Sequence, residues 1–164
     1  MPDIVIRKAE TGDCEVIASF IRMMLKEMSV MGGHPVNQNE SFWMSFRDIV
    51  LPAIQNSDRL YLIAENNDRP IGFFEGRVDI LYEVFEPKKS FHIGSVYVNP
   101  EERNSGIATD LIRTAMRWAS EQGCQEADLN ILVNNNNAKG LYKSLGFTVF
   151  QLEMRMQLPP CQFR

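Results

Sequence analysis

The spacing of apolar residues changes along the chain between a period of two and a period of three to four, which predicts a mixture of strands and helices. Alternating or β-branched stretches predict strands at 3–8, 60–65, 71–78, 91–98, 127–133 and 148–158. Apolar stripes at helical spacing predict helices at about 16–28, 41–50, 107–121 and 138–145, the first capped by Thr11 or Asp13. Residues 79–90 mix aromatic and charged side chains and predict no element. This order favours a mixed α/β sheet with helices packed on its faces.

Proline, asparagine and glycine mark where several of these elements end or bend. Pro52 is expected to kink or end the second helix, because proline lacks a backbone N–H. Residues 66–68, Asn-Asn-Asp, predict the turn of a hairpin. Gly72 and Gly76 in the second strand of that hairpin predict a bulge or a close approach of another backbone.

The composition is typical of a globular protein with one domain. The chain has 164 residues, of which 45% are hydrophobic and 23% charged, enough for one substantial core. A net charge of −4 provides no basic field for nucleic acid or an anionic membrane, and mildly favours a cationic substrate such as an amine. The charged first ten residues leave no signal-peptide core, and no apolar run reaches membrane-spanning length. We therefore expect a cytoplasmic protein with neither nucleic acid nor membrane as a partner.

Cysteine and histidine are too sparse to indicate a metal or disulfide site. Cys14, Cys124 and Cys161 are odd in number and far apart, and His34 and His92 are the two histidines of the chain. Neither a disulfide framework nor a zinc site follows from this pattern, so no metal is expected.

Residues 91–108, FHIGSVYVNPEERNSGIA, combine a strand, a loop and the start of a helix. The unpaired N–H groups and partial positive charge of such a helix start suit a phosphate or pyrophosphate. Gly106 lets an anion approach because it has no Cβ, and Arg103 adds a planar cationic donor. The stretch lacks the Gly-Lys-Ser/Thr ending of a P-loop and the three glycines of a dinucleotide fingerprint. An ordinary strand-to-helix turn is the alternative interpretation.

The spacing within this loop resembles motif A of the GCN5-related N-acetyltransferases, the GNAT superfamily. That motif reads Gln/Arg-x-x-Gly-x-Gly/Ala after a strand, and Arg103, Gly106 and Ala108 match it. A second stretch resembles motif B of the same superfamily, in the expected order after one helix and one strand: Asn135-x-x-Ala138-x-x-Leu141-Tyr142-x-x-x-Gly146-Phe147. The resemblance covers about residues 4–158. It implies an α/β, single-domain GNAT fold over 1–164, with a mixed, mostly antiparallel central sheet and helices on both faces.

The resemblance also implies an activity, an N-acetyltransferase that moves the acetyl group of acetyl-CoA to a primary amine by direct attack in a ternary complex. The pantetheine arm of the donor is expected along Val96 and Val98, where a backbone N–H at the strand end holds the developing oxyanion. Asn135 of motif B is expected to contact this arm, with an Asx turn as an equal alternative. The pyrophosphate is expected on the loop residues Arg103, Asn104, Ser105, Gly106, Ile107 and Ala108.

Two side chains are candidates for the proton transfers of this reaction. Tyr142 occupies the motif B tyrosine position, which implies a general acid for the departing thiolate; a half-buried helix aromatic is the alternative. His92 lies eleven residues before Arg103, where the histone acetyltransferase branch of the superfamily places a glutamate base. An imidazole can serve as this base near neutral pH. A structural histidine is the alternative, with Glu75 and Glu83 as rival carboxylates.

The sequence leaves the acceptor amine open. It is compatible with a small amine or polyamine, an aminoglycoside-like compound, an amino acid, or a peptide amine. The superfamily often lines its acceptor site with the loop between the first two helices, which makes His34 a candidate there. Exposed strand edges and residues 157–164 are candidate contacts of a homodimer. Two interpretations of other classes are a non-catalytic acetyl-CoA-binding regulatory module and an unrelated nucleotide-binding domain.

Overall fold

A five-stranded sheet with helices on both faces forms the part of the chain that the computed structural model describes, residues 4–86 and 89–158. The strands are β1 (Ile4–Lys8), β2 (Arg59–Asn66), β3 (Arg69–Ile80), β4 (Lys89–Val98) and β5 (Glu126–Leu129). The helices are α1 (Cys14–Val30), α2 (Glu40–Ser45), α3 (Arg47–Ile54), α4 (Ile107–Glu121) and α5 (Asn136–Ser144).

The strands follow chain order across the sheet, from β1 to β5. Neighbouring strands from β1 to β4 are antiparallel, because tight connections or helical returns reverse the chain each time. The crossover through α4 instead makes β5 parallel to β4. The sheet is therefore mixed and mostly antiparallel, as predicted.

Two apolar layers hold the helices to the sheet. On the face covered by α4 and α5, called the α4 face here, the β-strand residues Phe74 and Phe91 pack with Leu111 of α4. On the opposite face, called the α1 face, helices α1 and α3 cover the sheet, and the rings of Phe20 and Phe73 stack with centroids 5.8 Å apart. Alternation along each strand sends successive side chains to opposite layers.

The predicted hairpin between β2 and β3 is present. Asn67 and Asp68 form its turn with φ angles of 49° and 59°, a conformation that asparagine and aspartate tolerate better than most residues. A Cβ on Gly72 would lie 2.7 Å from the carbonyl oxygen of Tyr97, so the predicted close backbone approach occurs there. Glycine at this position lets β3 and β4 pair without a clash.

The prediction of one helix at 41–50 was wrong, since the chain forms α2 and α3 with a break at Phe46. The Phe46 N–H bonds to Trp43 three residues earlier, a tighter turn than the α-helix, and the Phe42, Trp43 and Phe46 rings contact one another. Pro52 lies inside α3 and does not end it.

The prediction of a final strand at 148–158 was also wrong. These residues form no regular element and their apolar side chains are exposed, for example Phe150 at 91%. Alternation alone does not make a strand, because the backbone needs a hydrogen-bonded neighbour. β5 is likewise shorter than the predicted 127–133. Within the described residues, no helix combines the length and apolar character needed to cross a membrane.

Candidate active site

A bulge in β4 shapes the centre of the sheet. Glu75 of β3 pairs with Ser95 and Gly76 pairs with Ile93, so Gly94 lies opposite no residue of β3. A Cβ on Gly94 would lie 2.1 Å from Oε2 of Glu75, which shows how closely this carboxylate covers the bulge. Bulges bend a strand and redirect its side chains, and they are frequent beside functional sites.

Beyond the bulge, β4 diverges from its parallel neighbour. β5 pairs with β4 only from Ser90 to Ile93, and no described strand continues that pairing along 94–98. The edge of β4 facing β5 therefore presents backbone N–H and C=O groups without a ladder partner. Such an edge can accept an extended molecule that carries amide groups.

The loop that follows β4 leads directly into helix α4. Asn104 and Gly106 have positive φ angles of 62° and 90°, and Gly106 is the N-cap residue. Because glycine provides no capping side chain, the first N–H groups of α4 lack a side-chain partner from this position. A Cβ on Gly106 would meet nothing within 4 Å, so the space beside the N-cap of α4 is open. This geometry suits a phosphate group.

Arg103 anchors the start of this loop. Its Nε donates to the Val98 carbonyl oxygen at 2.9 Å, and its Nη2 lies 2.8 and 2.9 Å from the two carboxylate oxygens of Glu27 on α1. The guanidinium also lies over the Tyr97 ring, 5.3 Å from its centroid. These contacts raise the pKa of Arg103, chiefly through Glu27. The side chain expected to meet pyrophosphate is thus already bound by protein groups.

His92 lies on the α1 face with a carboxylate beside it. It alternates with Phe91 and Ile93, which pack on the α4 face, so its imidazole projects to the other side of the sheet. Its Nδ1 lies 2.5 Å from Oδ1 of Asp128, the residue directly opposite on β5. The second carboxylate oxygen of Asp128 accepts a hydrogen bond of 2.7 Å from the Ser90 hydroxyl.

Glu75 shares this face and is almost fully buried. Its side chain accepts a hydrogen bond of 3.1 Å from Arg59 Nη1, and Tyr61 is its cross-strand neighbour. Burial raises the pKa of Glu75, and the positive charges of Arg59 and Arg77 oppose that shift. Burial likewise raises the pKa of Tyr61, with a further contribution from the Glu75 charge. The rival carboxylate Glu83 lies instead in the exposed loop between β3 and β4.

Tyr142 lies on α5 and belongs to the core of the α4 face. It is 8% exposed, and its ring meets that of Phe147 edge-on with centroids 5.5 Å apart. Burial raises the pKa of Tyr142 to about 12. Its phenol therefore keeps its proton over the physiological range and can act as a donor.

The remaining predicted residues lie at the N-cap of α5, in the core of the α4 face and in an exposed loop. Asn135 is the N-cap of α5, where its side chain accepts a hydrogen bond from the Ala138 N–H at 3.1 Å. The Ile107 and Val98 side chains are buried in the core of the α4 face, so only their backbone groups can face a ligand. His34 lies exposed in the loop after α1.

Sequence reasoning missed Asp128 and Glu27. Asp128 becomes visible only through the parallel register that places it opposite His92, and Glu27 only through the packing of α1 beside the loop. Within 4–86 and 89–158, no group of three or more His, Cys, Asp or Glu residues is arranged to hold a metal ion.

Comparison with known proteins assigns this arrangement to a family. Residues 24–147 match the model of the Acetyltransferase (GNAT) family. The chain belongs to the GNAT family. This assignment confirms the family suggested by the two motifs and makes the chain an acyltransferase, as they implied.

Curated GNAT relatives match to different extents. A thialysine N-epsilon-acetyltransferase of Bos taurus is 34% identical over 146 residues, covering 89% of this chain and 85% of that protein. An aminoglycoside N(6')-acetyltransferase type 1 of Acinetobacter haemolyticus is 32% identical over 91 residues, covering 54% of this chain and 61% of that protein. An uncharacterized N-acetyltransferase of Methanocaldococcus jannaschii is 31% identical over 87 residues, and the match spans only 38% of its length.

Solved structures share the GNAT fold. Aminoglycoside N-acetyltransferase AAC(6')-Iy in complex with CoA superposes with a TM-score of 0.76 at 18% identity, covering 98% of this chain and 97% of that chain. A predicted acetyltransferase with acetyl-CoA from Clostridium acetobutylicum gives a TM-score of 0.76 at 18% identity, covering 94% and 96%. At such low identity these likenesses establish the fold, and they confirm the predicted fold class.

Proposed function

We propose that this GNAT protein transfers the acetyl group of acetyl-CoA to a primary amine by direct attack in a ternary complex. The observation that carries the proposal is the continuity between the open β4 edge at 94–98 and the open N-terminus of α4. An extended arm with two amides, followed by a pyrophosphate, matches both surfaces in the order in which the chain presents them.

The loop from Arg103 to Ala108 binds the pyrophosphate of the donor in this proposal. The α4 N–H groups supply donors, and Gly106 leaves the space for close approach. Val96 and Val98 contribute backbone groups along the pantetheine arm, together with the remaining amide donors of Asn135. Arg103 holds the loop in place through Glu27 and the Val98 carbonyl.

The chemistry requires two proton transfers. The amine nitrogen attacks the thioester carbon, a C–N bond forms and the C–S bond breaks. A cationic acceptor first loses its ammonium proton to solvent, which frees the lone pair for attack. His92 then accepts the proton that the nitrogen loses as the C–N bond forms, Tyr142 gives a proton to the CoA thiolate, and return of the proton from His92 to Tyr142 through solvent restores both groups. Backbone N–H groups of β4 stabilise the oxyanion. With its pKa raised by burial to about 12, the phenol of Tyr142 is protonated when the thiolate leaves, as the proposed donor must be, although it is a weaker acid than an exposed tyrosine.

The acceptor is a small cationic amine. The carboxylates of Glu75 and Asp128 both interact with His92 on the α1 face, and the net charge of the chain is −4. Arg59 and Arg77 lie on the same face, so the support for a positively charged ligand comes mainly from the half-exposed Asp128 and the overall charge. The relatives named above act on thialysine and on aminoglycosides, both small polar amines. Peptide amines are the less favoured acceptor class.

We also propose that the protein forms a homodimer. β5 is an edge of the sheet, and the apolar residues at alternate positions in 148–158 are exposed. A second copy offers both a strand edge and an apolar cover to this segment.

Release of free thiol from acetyl-CoA tests the function directly. The purified protein is mixed with acetyl-CoA and, separately, with thialysine, lysine, spermidine, kanamycin and a lysine-containing peptide. We expect release with at least one small amine and formation of its acetyl derivative by mass spectrometry. Acetyl-CoA binding without release from any acceptor would contradict the proposal and favour the non-catalytic binding module.

Gly106→Glu tests the phosphate loop, because it places a carboxylate at the proposed pyrophosphate site. Gly123→Glu is the matched control, since Gly123 also has a positive φ and empty space around its Cβ position, but lies beyond the other end of α4. We expect Gly106→Glu alone to abolish CoA binding in calorimetry. Equal binding by the two variants would overturn the loop assignment.

A further inference from the structure

Ser90, His92 and Asp128 form a compact polar group on the α1 face of the sheet. Ser90 and His92 are two residues apart on β4, so their side chains project to the same side. Asp128 lies opposite His92 in the parallel register of β5. The strand pairing of the backbone therefore places all three side chains on the same side of the sheet.

The contacts within this group give each carboxylate oxygen of Asp128 its own partner. Oδ2 accepts the hydrogen bond of the Ser90 hydroxyl at 2.7 Å, and Ser90 is only 1% exposed. Oδ1 lies 2.5 Å from Nδ1 of His92, whose side chain is 15% exposed. The buried hydroxyl restrains the carboxylate plane, and the carboxylate in turn restrains the imidazole ring.

We infer that Asp128 is a positioning residue for His92, holding the imidazole in the form that has its proton on Nδ1 and a free lone pair on Nε2. The inference rests on the proposed function, in which His92 is the base. An ionised carboxylate only accepts hydrogen bonds, so the short contact requires Nδ1 to donate. Nε2 then accepts the proton that the amine loses on attack.

The other charged groups facing His92 have partners of their own. Arg77 is opposite His92 on β3 and donates from Nε to Asp79 at 2.9 Å. Glu75 accepts its hydrogen bond from Arg59. Asp128 is therefore the carboxylate whose contact with the ring can select its tautomer.

Nitrogen-15 NMR of the imidazole rings tests the inference without an activity assay. His34 and His92 are the two histidines of the chain, so a His34→Gln variant assigns their signals. At about pH 8.5, where an ordinary imidazole is neutral, we expect Nε2 of His92 to show the shift of an unprotonated nitrogen. In Asp128→Asn the proton is expected to move substantially to Nε2, because an amide N–H can face Nδ1. An unchanged tautomer would overturn the inference.

Steady-state kinetics with the best acceptor of the panel supplies the second readout. We expect Asp128→Asn to lower kcat about 10-fold, part of the roughly 100-fold that a positioned base contributes. Asp128→Glu, which restores a carboxylate, is expected to recover part of the rate and the Nδ1–H tautomer. Glu126→Gln is the matched control, because it removes the same charge from the same face of β5 at a position opposite Ser90.

These measurements separate the positioning role of Asp128 from acetyl transfer itself. Transfer that persists at full rate in Asp128→Asn or in His92→Ala would overturn the positioning role and leave acetyl transfer established. An equal loss in Glu126→Gln would also overturn it, since a general charge effect would then suffice. Absence of transfer with every acceptor would overturn the function and the kinetic part of the inference, while the NMR comparison would still decide whether Asp128 sets the tautomer.

Discussion

Arg103 and Glu27 join the loop between β4 and α4 to helix α1, with Arg103 Nη2 lying 2.8 and 2.9 Å from the two oxygens of the Glu27 carboxylate. The two side chains are far apart in sequence and both are partly exposed. A second bond, from Arg103 Nε to the Val98 carbonyl, ties the same guanidinium to the end of β4. Arg103 therefore acts as an anchor of the loop, in addition to any contact with a phosphate.

Replacement of either partner is expected to weaken CoA binding. Arg103→Lys removes the planar guanidinium, and Glu27→Gln removes the negative charge of its partner. Both changes weaken the contact that holds the loop between β4 and α4. We expect an increase in the Kd for CoA of about 2- to 5-fold, the range for a partly exposed ion pair. Calorimetry with CoA measures it, and Arg117→Lys on the exposed face of α4 is the control. Tighter binding by Glu27→Gln would contradict the anchoring role and indicate that Glu27 competes with pyrophosphate.

Tyr142→Phe is expected to lower kcat by about 10- to 100-fold with little change in the KM for acetyl-CoA, because only the proton donor is removed. Burial raises the pKa of Tyr142 to about 12, so the phenol stays protonated to well above pH 10. The rate of the wild-type protein should therefore show no alkaline loss from this group below about pH 11. Stopped-time assays of thiol release across pH 7 to about 11 check both points. An unchanged kcat in the variant would remove Tyr142 from the mechanism.

The fold could be predicted from sequence where the signals are local. The hairpin turn at 66–68, the close approach at Gly72 and the strand–loop–helix junction at 91–108 each depend on residues adjacent in the chain. The break at Phe46 was missed because an aromatic cluster overrides a continuous apolar stripe. Tertiary contacts determine where such breaks occur, and they do not change the periodic pattern of apolar residues in the sequence.

The pH dependence of stability should report the buried state of Glu75. Burial raises the pKa of this carboxyl above its unfolded value of 4.5, so the folded state keeps the proton longer. Its contribution to the free energy of unfolding is complete below pH 4.5 and is lost as the pH rises through the raised pKa. Urea unfolding from about pH 4 to 8 should show this decline in the wild type and not in Glu75→Gln. Parallel curves for the two proteins would contradict a raised pKa.

Gly94→Ala tests the close contact between the bulge and Glu75. The added Cβ would lie 2.1 Å from Glu75 Oε2, so the carboxylate or the bulge must move. We expect a loss of about 1 to 3 kcal/mol in the free energy of unfolding and a large loss of transfer activity. Gly140→Ala is the control, since nothing lies within 4 Å of its Cβ position inside α5. This helical change should instead stabilise the protein by about 0.5 to 1 kcal/mol, and equal effects of the two changes would refute the argument.

The candidate site was predictable only in part, because some of its residues meet only through tertiary contacts. Motif residues such as Gly106 carry a local signature, whereas Asp128 is 36 residues from His92 and meets it through strand register alone. Glu75 was visible as a carboxylate, but its burial at the bulge depends on the pairing of β3 with β4. Sequence patterns predict the chemistry of the loop, whereas tertiary packing determines which residues surround it.

The segment 148–158 has the residue pattern of a half-buried strand, but its apolar side chains are exposed. Phe150, Leu152, Met154, Met156 and Leu158 alternate with polar residues, as in a half-buried strand, yet each is at least 76% exposed. Arg155 Nη2 donates to the Gly32 carbonyl at 2.9 Å, which places the segment beside the loop after α1. An exposed apolar stripe of this length is typical of an interaction surface, which we propose is covered by a second copy of the chain.

We expect light scattering to give twice the mass of one chain for the wild type. The double variant Leu152→Glu with Met154→Glu should be monomeric, because both changes put charge into the apolar stripe. Gln151→Glu with Gln157→Glu adds the same two charges on the polar side of the same segment, and should remain dimeric. Dissociation in both double variants would mean that charge, and not the apolar stripe, controls assembly. A monomeric wild type would refute the homodimer. The apolar stripe would then have to pack against another surface of its own chain.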